Sequence, residues 1–447
     1  MWTVTQLAAD LAAGKTSSRE LVEQALAKIN DPAGEGSRAF VKVYADAARA
    51  DADYSDRLRK AGVRRSPVDG LPVSLKDLYD VAGDVTRAGA KVRENEPPAK
   101  VDAVAVARLR AAGAVFVGRS NMVEFAFGGV GLNPHYGTPK NPYDRKTGRV
   151  PGGSSSGAAV GQADGMAVMS LGSDTRGSIR GPSALCGITG WKPTARRVPR
   201  EGAFPLSFTL DSVGPLANSV ACCAVYDAIL AAERPQALPK IPMKGLRFLL
   251  PRSEAIADLD KQVSTAFDAT LATLSKAGAV ITEVRVPGFD RQAEFFKGGG
   301  FAGAEAYHIH RANQERLDQY DPRVGKRILF GKVLSASDYM AFGDMRVEFM
   351  NEVQAVAAGF DAILMPTAPC IAPTIAEAGA SDEDYMRWNM RILRNCGLIN
   401  FLDGCAASVP CHEHGTAPVG LMVCGTAGTD GHTLAVAAAI EQARPRD

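Results

Sequence analysis

Between residues 151 and 180 two tight glycine-rich turns each carry a serine, Ser154 and Ser178. The first turn reads Pro151-Gly152-Gly153-Ser154-Ser155-Ser156-Gly157, the second Gly172-Ser173-Asp174-Thr175-Arg176-Gly177-Ser178-Ile179-Arg180. Between them, residues 156–164 are small and helix-compatible, and after Gly165 the run Met166 to Leu171 has the apolar continuity of a buried strand. A helix that leaves a point and a strand that returns toward it bring the helix start and the strand end to one sheet edge. Ser154 and the loop carrying Ser178 can therefore meet. In a third segment Leu71, Val73 and Leu75 alternate with Pro72, Ser74 and Lys76. This is a strand pattern, with the apolar residues toward a core and Ser74 and Lys76 on the opposite face. Lys76 falls near the strand's C-terminal end, where open α/β sheets place their sites.

The rest of the chain alternates in the same way. Residues 3–29 show helical spacing in two pieces broken at Gly14, and Ser17 with Glu20 forms a capping box for the second. The charged residues 54–70 are expected to be a connector. A helix is predicted over 102–112 and a short strand over Val115 to Val117, followed by an irregular segment, 128–153, too long to be mere linkage. Strands are predicted at 245–250 and 279–284 around a helix at 258–276, and two more within 361–369 and 419–424, while 290–360 reads as mostly helical. Such alternation predicts a single α/β domain over residues 1–447, with a central mixed sheet flanked by helices. No repeat or inter-domain linker divides it.

Composition excludes several classes of partner. A net charge of +2 over 447 residues leaves no basic footprint for nucleic acid, and no apolar run approaches a membrane span. The N-terminus lacks the pattern of a signal peptide. The eight cysteines are scattered, and Cys222, Cys223, Cys405 and Cys424 lie in apolar runs, as buried thiols do. A reducing cytoplasm is the expected location. No phosphate-binding or dinucleotide motif is present. Cys411-His412-Glu413-His414 is too crowded for common zinc spacing, and His135 reads as structural. Neither a metal nor an organic cofactor is expected, and a homodimer is the expected assembly.

The chemistry follows from the residue types. A serine hydroxyl attacks an amide only if a base takes its proton as the bond forms. With little histidine nearby, Lys76 is the available base, provided burial lowers its pKa by several units. A second serine between lysine and nucleophile lets the proton travel further and return to the leaving nitrogen. Consecutive amides of a glycine-rich turn can hold the oxyanion, each donor contributing roughly 3 kcal/mol.

Taken together, the three segments resemble the amidase signature family, whose hydrolases use a serine, a second serine and a lysine. The resemblance covers residues 65–220 closely, including Asn133–Pro142 and Asp211–Leu216, reappears at Pro366–Pro369 and Ala417–Leu421, and is loose over 225–360. It implies Ser178 as nucleophile, Ser154 as the bridging serine preceded by a cis peptide, and Lys76 as base. It also implies the amides of Thr175, Arg176, Gly177 and Ser178 as oxyanion hole, with Ser155, Asp174 and Arg180 in support. Ala126, Phe127 and Gly128, next to Phe125, are candidates to line a pocket, or else plain core. The implied activity is hydrolysis of a carboxamide or urea-like C–N bond in a small molecule, through an acyl-enzyme. The family also holds the A-type subunit of tRNA-dependent amidotransferases, and a catalytically silent subunit would share the scaffold. In one respect the chain departs from the pattern: Arg176 stands where the family usually has glycine. Its side chain can bind a substrate carboxylate bidentately, or fold away and pair with a local acid.

Overall fold

The computed structural model describes residues 2–444. Among these residues the strands are β1 (Phe40–Val43), β2 (Pro72–Lys76), β3 (Val115–Ser120), β4 (Met169–Asp174), β5 (Thr189–Lys192), β6 (Ser212–Ala217), β7 (Arg247–Pro251), β8 (Val280–Val284), β9 (Ala362–Pro366), β10 (Cys405–Pro410) and β11 (Gly420–Gly425). They form one sheet in the order β1-β3-β2-β4-β6-β5-β10-β11-β9-β7-β8. β3, β2 and β4 run parallel. From β4 through β6, β5, β10 and β11 to β9 every pairing is antiparallel, and β9, β7 and β8 are parallel again. The expected single-domain α/β architecture with a mixed sheet is therefore what the chain adopts.

The parallel strands β3, β2 and β4 are covered on both faces, as parallel sheets require, and every one of their residues is buried. The alternation in β2 thus separates two buried layers rather than core from solvent. On the layer opposite Val73 and Leu75, Ser74 Oγ donates to Ser170 Oγ at 2.7 Å. The strand expected at Met166 to Leu171 begins and ends three residues later. Met166 N–H is still tied to Gly161 at the helix end, and the chain reaches the sheet where Val168 N–H bonds Pro72 O. The shift carries Ser173 and Asp174 onto the sheet. The strand predicted over Val115 to Val117 likewise continues to Ser120.

The helices Val4–Ala12 and Ser18–Ile29 form as expected, the second with both halves of the Ser17–Glu20 capping box. The connector expected at 54–70 is corrected: a helix, Ala45–Lys60, takes its first part, with Arg57, Arg59 and Lys60 in the last turn where the helix dipole favours cations. Residues 300–357 are largely helical, with Gly300–Ile309, Pro322–Phe330 and Ala336–Ala357 as main pieces. All eight cysteines are buried, and none is held in a disulfide. Among the described residues no helix is long and apolar enough to cross a membrane.

Candidate active site

The ends of two neighbouring parallel strands build the site. Lys76 closes β2, and Ser173 and Asp174 close β4 beside it. Lys76 Nζ lies 2.7 Å from Ser154 Oγ, 2.9 Å from Ser173 Oγ and 3.4 Å from the Ser173 carbonyl oxygen. Ser154 follows a cis peptide bond from Gly153 and precedes the helix Ser156–Ala163. Ser155 N–H donates to the Ser178 carbonyl at 3.3 Å, which ties the two glycine turns together. Lys76 and Ser154 are fully buried and Ser178 nearly so. Burial pulls the Lys76 pKa from 10.5 down to about 7, against the opposing charges of Asp174 and Asp211.

Asp174 shapes the turn that carries Ser178. Its Oδ1 accepts from Gly177 N–H at 2.7 Å and its Oδ2 from Ile179 N–H at 3.1 Å and Arg180 N–H at 3.3 Å. The Arg180 guanidinium closes the fork with Nη2–Oδ1 at 2.9 Å and Nε–Oδ2 at 3.0 Å, both side chains fully buried. Burial alone would raise the carboxyl pKa, but the Arg180 charge outweighs it and holds Asp174 well below the usual range. Because Gly177 N–H is spent on Asp174, it drops out of the expected set of oxyanion donors. Among the described residues the amides of Thr175, Arg176 and Ser178 donate to no other group. Gly177 has φ +125°, and a Cβ there would sit 2.5 Å from Cys396 Cβ, so no side chain fits.

A cavity of 340 Å³ opens beside Ser173 and Thr175, walled by Leu78, Ala126, Phe204 and Asp211. Thr175 Oγ1 donates to Asp211 Oδ1 at 2.5 Å on its floor. The neighbouring loop is strained: Phe125 and Ala126 hold φ of 50° and 59°, unusual for residues with a Cβ. Phe125 N–H bonds Ala88 O, and its ring packs against Phe204 at 5.3 Å, His310 at 4.4 Å and Tyr320 at 4.9 Å.

Residues 20–434 match the family described as Amidase. The chain belongs to that family. It is 35% identical over 404 residues to a 2-amino-5-chloromuconic acid deaminase of Comamonas testosteroni, covering 88% of this chain and 86% of the relative. It is 36% identical over 383 residues to the AtzE component of 1-carboxybiuret hydrolase from Pseudomonas sp. strain ADP, covering 82% and 81%. The A-type component of a glutamyl-tRNA(Gln) amidotransferase from Roseiflexus sp. strain RS-1 is 33% identical, covering 93% and 91%. Among solved structures, the peptide amidase of Stenotrophomonas maltophilia superimposes with a TM-score of 0.81 at 26% identity, covering 100% of this chain and 97% of that one.

In this amidase the structure brings Lys76, Ser154, Ser178, Asp174 and Arg180 together, and Ala126 reaches the cavity. Phe127 and Gly128 stand apart from it: the Phe127 ring lies 4.2 Å under the Arg327 guanidinium, and Gly128 packs against Tyr385. Ser155 supports the turn through its amide, while its Oγ is buried without a partner. Three members of the site were given no role from the sequence, although Asp211 opens one of the stretches that carry the resemblance. Ser173 was marked only by its place inside the second glycine turn. Asp211 and Asn400 reach the site through tertiary contact alone, Asn400 Nδ2 donating to Asp174 Oδ1 at 3.0 Å.

Proposed function

We propose that Ser178 is the nucleophile of this amidase, activated through Ser154 by a neutral Lys76. The observation that carries the reading is the 2.7 Å contact between Ser154 and a fully buried lysine whose pKa falls near neutrality. Lys76 takes the Ser154 proton as Ser154 takes that of Ser178, and Ser178 Oγ bonds to the carbonyl carbon. The free amides of Thr175, Arg176 and Ser178 receive the oxyanion. The C–N bond breaks as the proton returns along the same path to the leaving nitrogen. Water, deprotonated by the same relay, then releases the acid and restores Ser178.

The substrate in this reading is a small amide or urea-like compound, hydrolysed in the cytoplasm without nucleic acid, by a homodimer or a monomer. Eight buried cysteines without a disulfide suit a reducing compartment, and two relatives named as a deaminase and a carboxybiuret hydrolase support the bond type. Ammonia or amine release from an amide panel, with fluorophosphonate labelling of Ser178, tests it. Wild type should turn over and label, and Ser178→Ala should do neither. Ammonia released without ATP, tRNA or partner proteins separates this reading from that of a tRNA-dependent amidotransferase component. Labelling of Ser178→Ala would refute the assignment.

A further inference from the structure

Arg176 is a buried cation without an ion pair among the described residues. Only 8% of the residue is exposed, and its Nε is sealed from solvent without an acceptor. Among the described residues its guanidinium makes no hydrogen bond and no ion pair. The expected pairing with a local acid therefore does not occur. Instead its Cζ lies over the Phe296 ring, 3.6 Å from the ring centroid. Gly397 lies alongside, where a Cβ would approach Nε to 3.3 Å.

The charge that acts on Arg176 has the same sign as its own. Arg327, 6% exposed, donates to the Phe127 carbonyl at 2.6 Å and lies 3.5 Å from Asn389 Oδ1, and it too lacks an ion pair among the described residues. Burial first, and then the Arg327 charge, push the Arg176 pKa down. Two desolvated guanidiniums without a counter-ion are an unfavourable arrangement that an entering anion would relieve.

Position and shape say which anion. Arg176 is two residues from Ser178, so their Cα atoms are within about 7 Å, and its own amide belongs to the turn that faces the carbonyl oxygen. A guanidinium stacked by its face on an aromatic ring keeps its edge N–H groups for an in-plane, two-oxygen acceptor. We propose, building on the amidase reading above, that Arg176 binds a carboxylate of the substrate. The substrate class is then a short amide whose carboxylate lies a few bonds from the scissile carbonyl, with Arg327 adding a second positive charge behind it.

The test reads occupancy of the site rather than turnover. Wild type is labelled at Ser178 with a fluorophosphonate in the presence of malonate, succinate, glutarate or N-acetylglycine, each against its neutral amide counterpart. At least one acid should slow labelling at concentrations where its neutral partner does not. In Arg176→Gln the ratio of acid to neutral protection should fall by roughly 10- to 100-fold, the worth of a charge-assisted bidentate contact. Arg176→Lys, which keeps the charge and loses the fork, should recover only part. Using a ratio removes any general damage to the turn. Equal protection by acids and neutral amides in wild type, or an unchanged ratio in Arg176→Gln, overturns the proposal. If Ser178 of wild type does not label at all, the nucleophile assignment is what has failed. Titration calorimetry with the same acids then decides on Arg176 by itself: binding lost in Arg176→Gln supports it, and binding absent or unchanged overturns it.

Discussion

Replacing Lys76 with methionine should abolish turnover and make the folded chain more stable at neutral pH. The side chain is fully buried, and its pKa falls from 10.5 to about 7. Between those values the unfolded chain holds a proton that the folded chain has released, so stability rises with pH across this window. The penalty is complete below the folded value and vanishes above the unfolded one. At about 1.36 kcal/mol per pKa unit, it amounts to about 4 kcal/mol at pH 7 and about 1 kcal/mol at pH 9.5. Methionine carries no such penalty but forfeits the contacts of Nζ with Ser154 and Ser173, about 1 kcal/mol each. The variant should therefore gain about 2 kcal/mol near pH 7. The assay is urea unfolding of both proteins at the two pH values, read by tryptophan fluorescence, to which the buried Trp191 contributes. The stability of the variant relative to wild type should drop by about 3 kcal/mol between pH 7 and pH 9.5. The comparison cancels other titrating groups, including the buried Lys192, whose pKa is also pulled down, to about 8. A stability difference that stays constant with pH would refute the claim that Lys76 is poised to lose its proton near neutrality.

The pH dependence of kcat/KM should show a rising limb centred near the Lys76 value of about 7; below it the rate should fall roughly tenfold per pH unit as the base is protonated, and a flat profile from pH 5 to pH 8 would exclude Lys76 as the base. Asp174→Asn leaves the buried Arg180 without its counter-ion and loosens the Gly177 amide. It should cost about 3–5 kcal/mol in urea unfolding, and a loss under about 1 kcal/mol would contradict the pairing described. Gly177→Ala forces a Cβ into contact with Cys396 at a φ of +125°. It should lower kcat by at least about tenfold while the global fold, followed by circular dichroism, persists; unchanged kcat would show that the turn has room to move.

The parts of this molecule that were legible in the sequence are those whose cause is local. Glycine turns, the small-residue helix after Ser154 and the alternation around Lys76 announce themselves within ten or so residues. The helix Ala45–Lys60 was hidden because its buried stripe consists of Ala48, Ala52 and Ser55, too small and mild to stand out among charges. β6 carries Pro215, a residue that argues against a central strand. Its pairing with β5 covers only Leu216 and Ala217, which leaves Pro215 beyond the shared ladder. β5 and β10 are strands because of what they pair with rather than any pattern of their own. The same holds for the site. Its reactive groups could be named from motifs, but the fate of Arg176 depended on Phe296, and the anchoring of Arg180 on Asn400 and the Cys396 carbonyl, all distant in the chain.

That anchoring has a consequence for how the enzyme comes into being. Lys76, Ser154 and Ser178 all precede residue 181, yet Arg180 is held by the helix Asp382–Phe401, and β5 is flanked by β10 near the chain's end. A ribosome halfway along the message has therefore made every residue of the proposed relay and no catalyst. The stretch 231–245, mostly exposed between the helix Val220–Leu230 and β7, belongs to no helix or strand. Severing the chain there should yield two inert pieces that regain turnover only when they find each other, so that activity becomes a report of assembly.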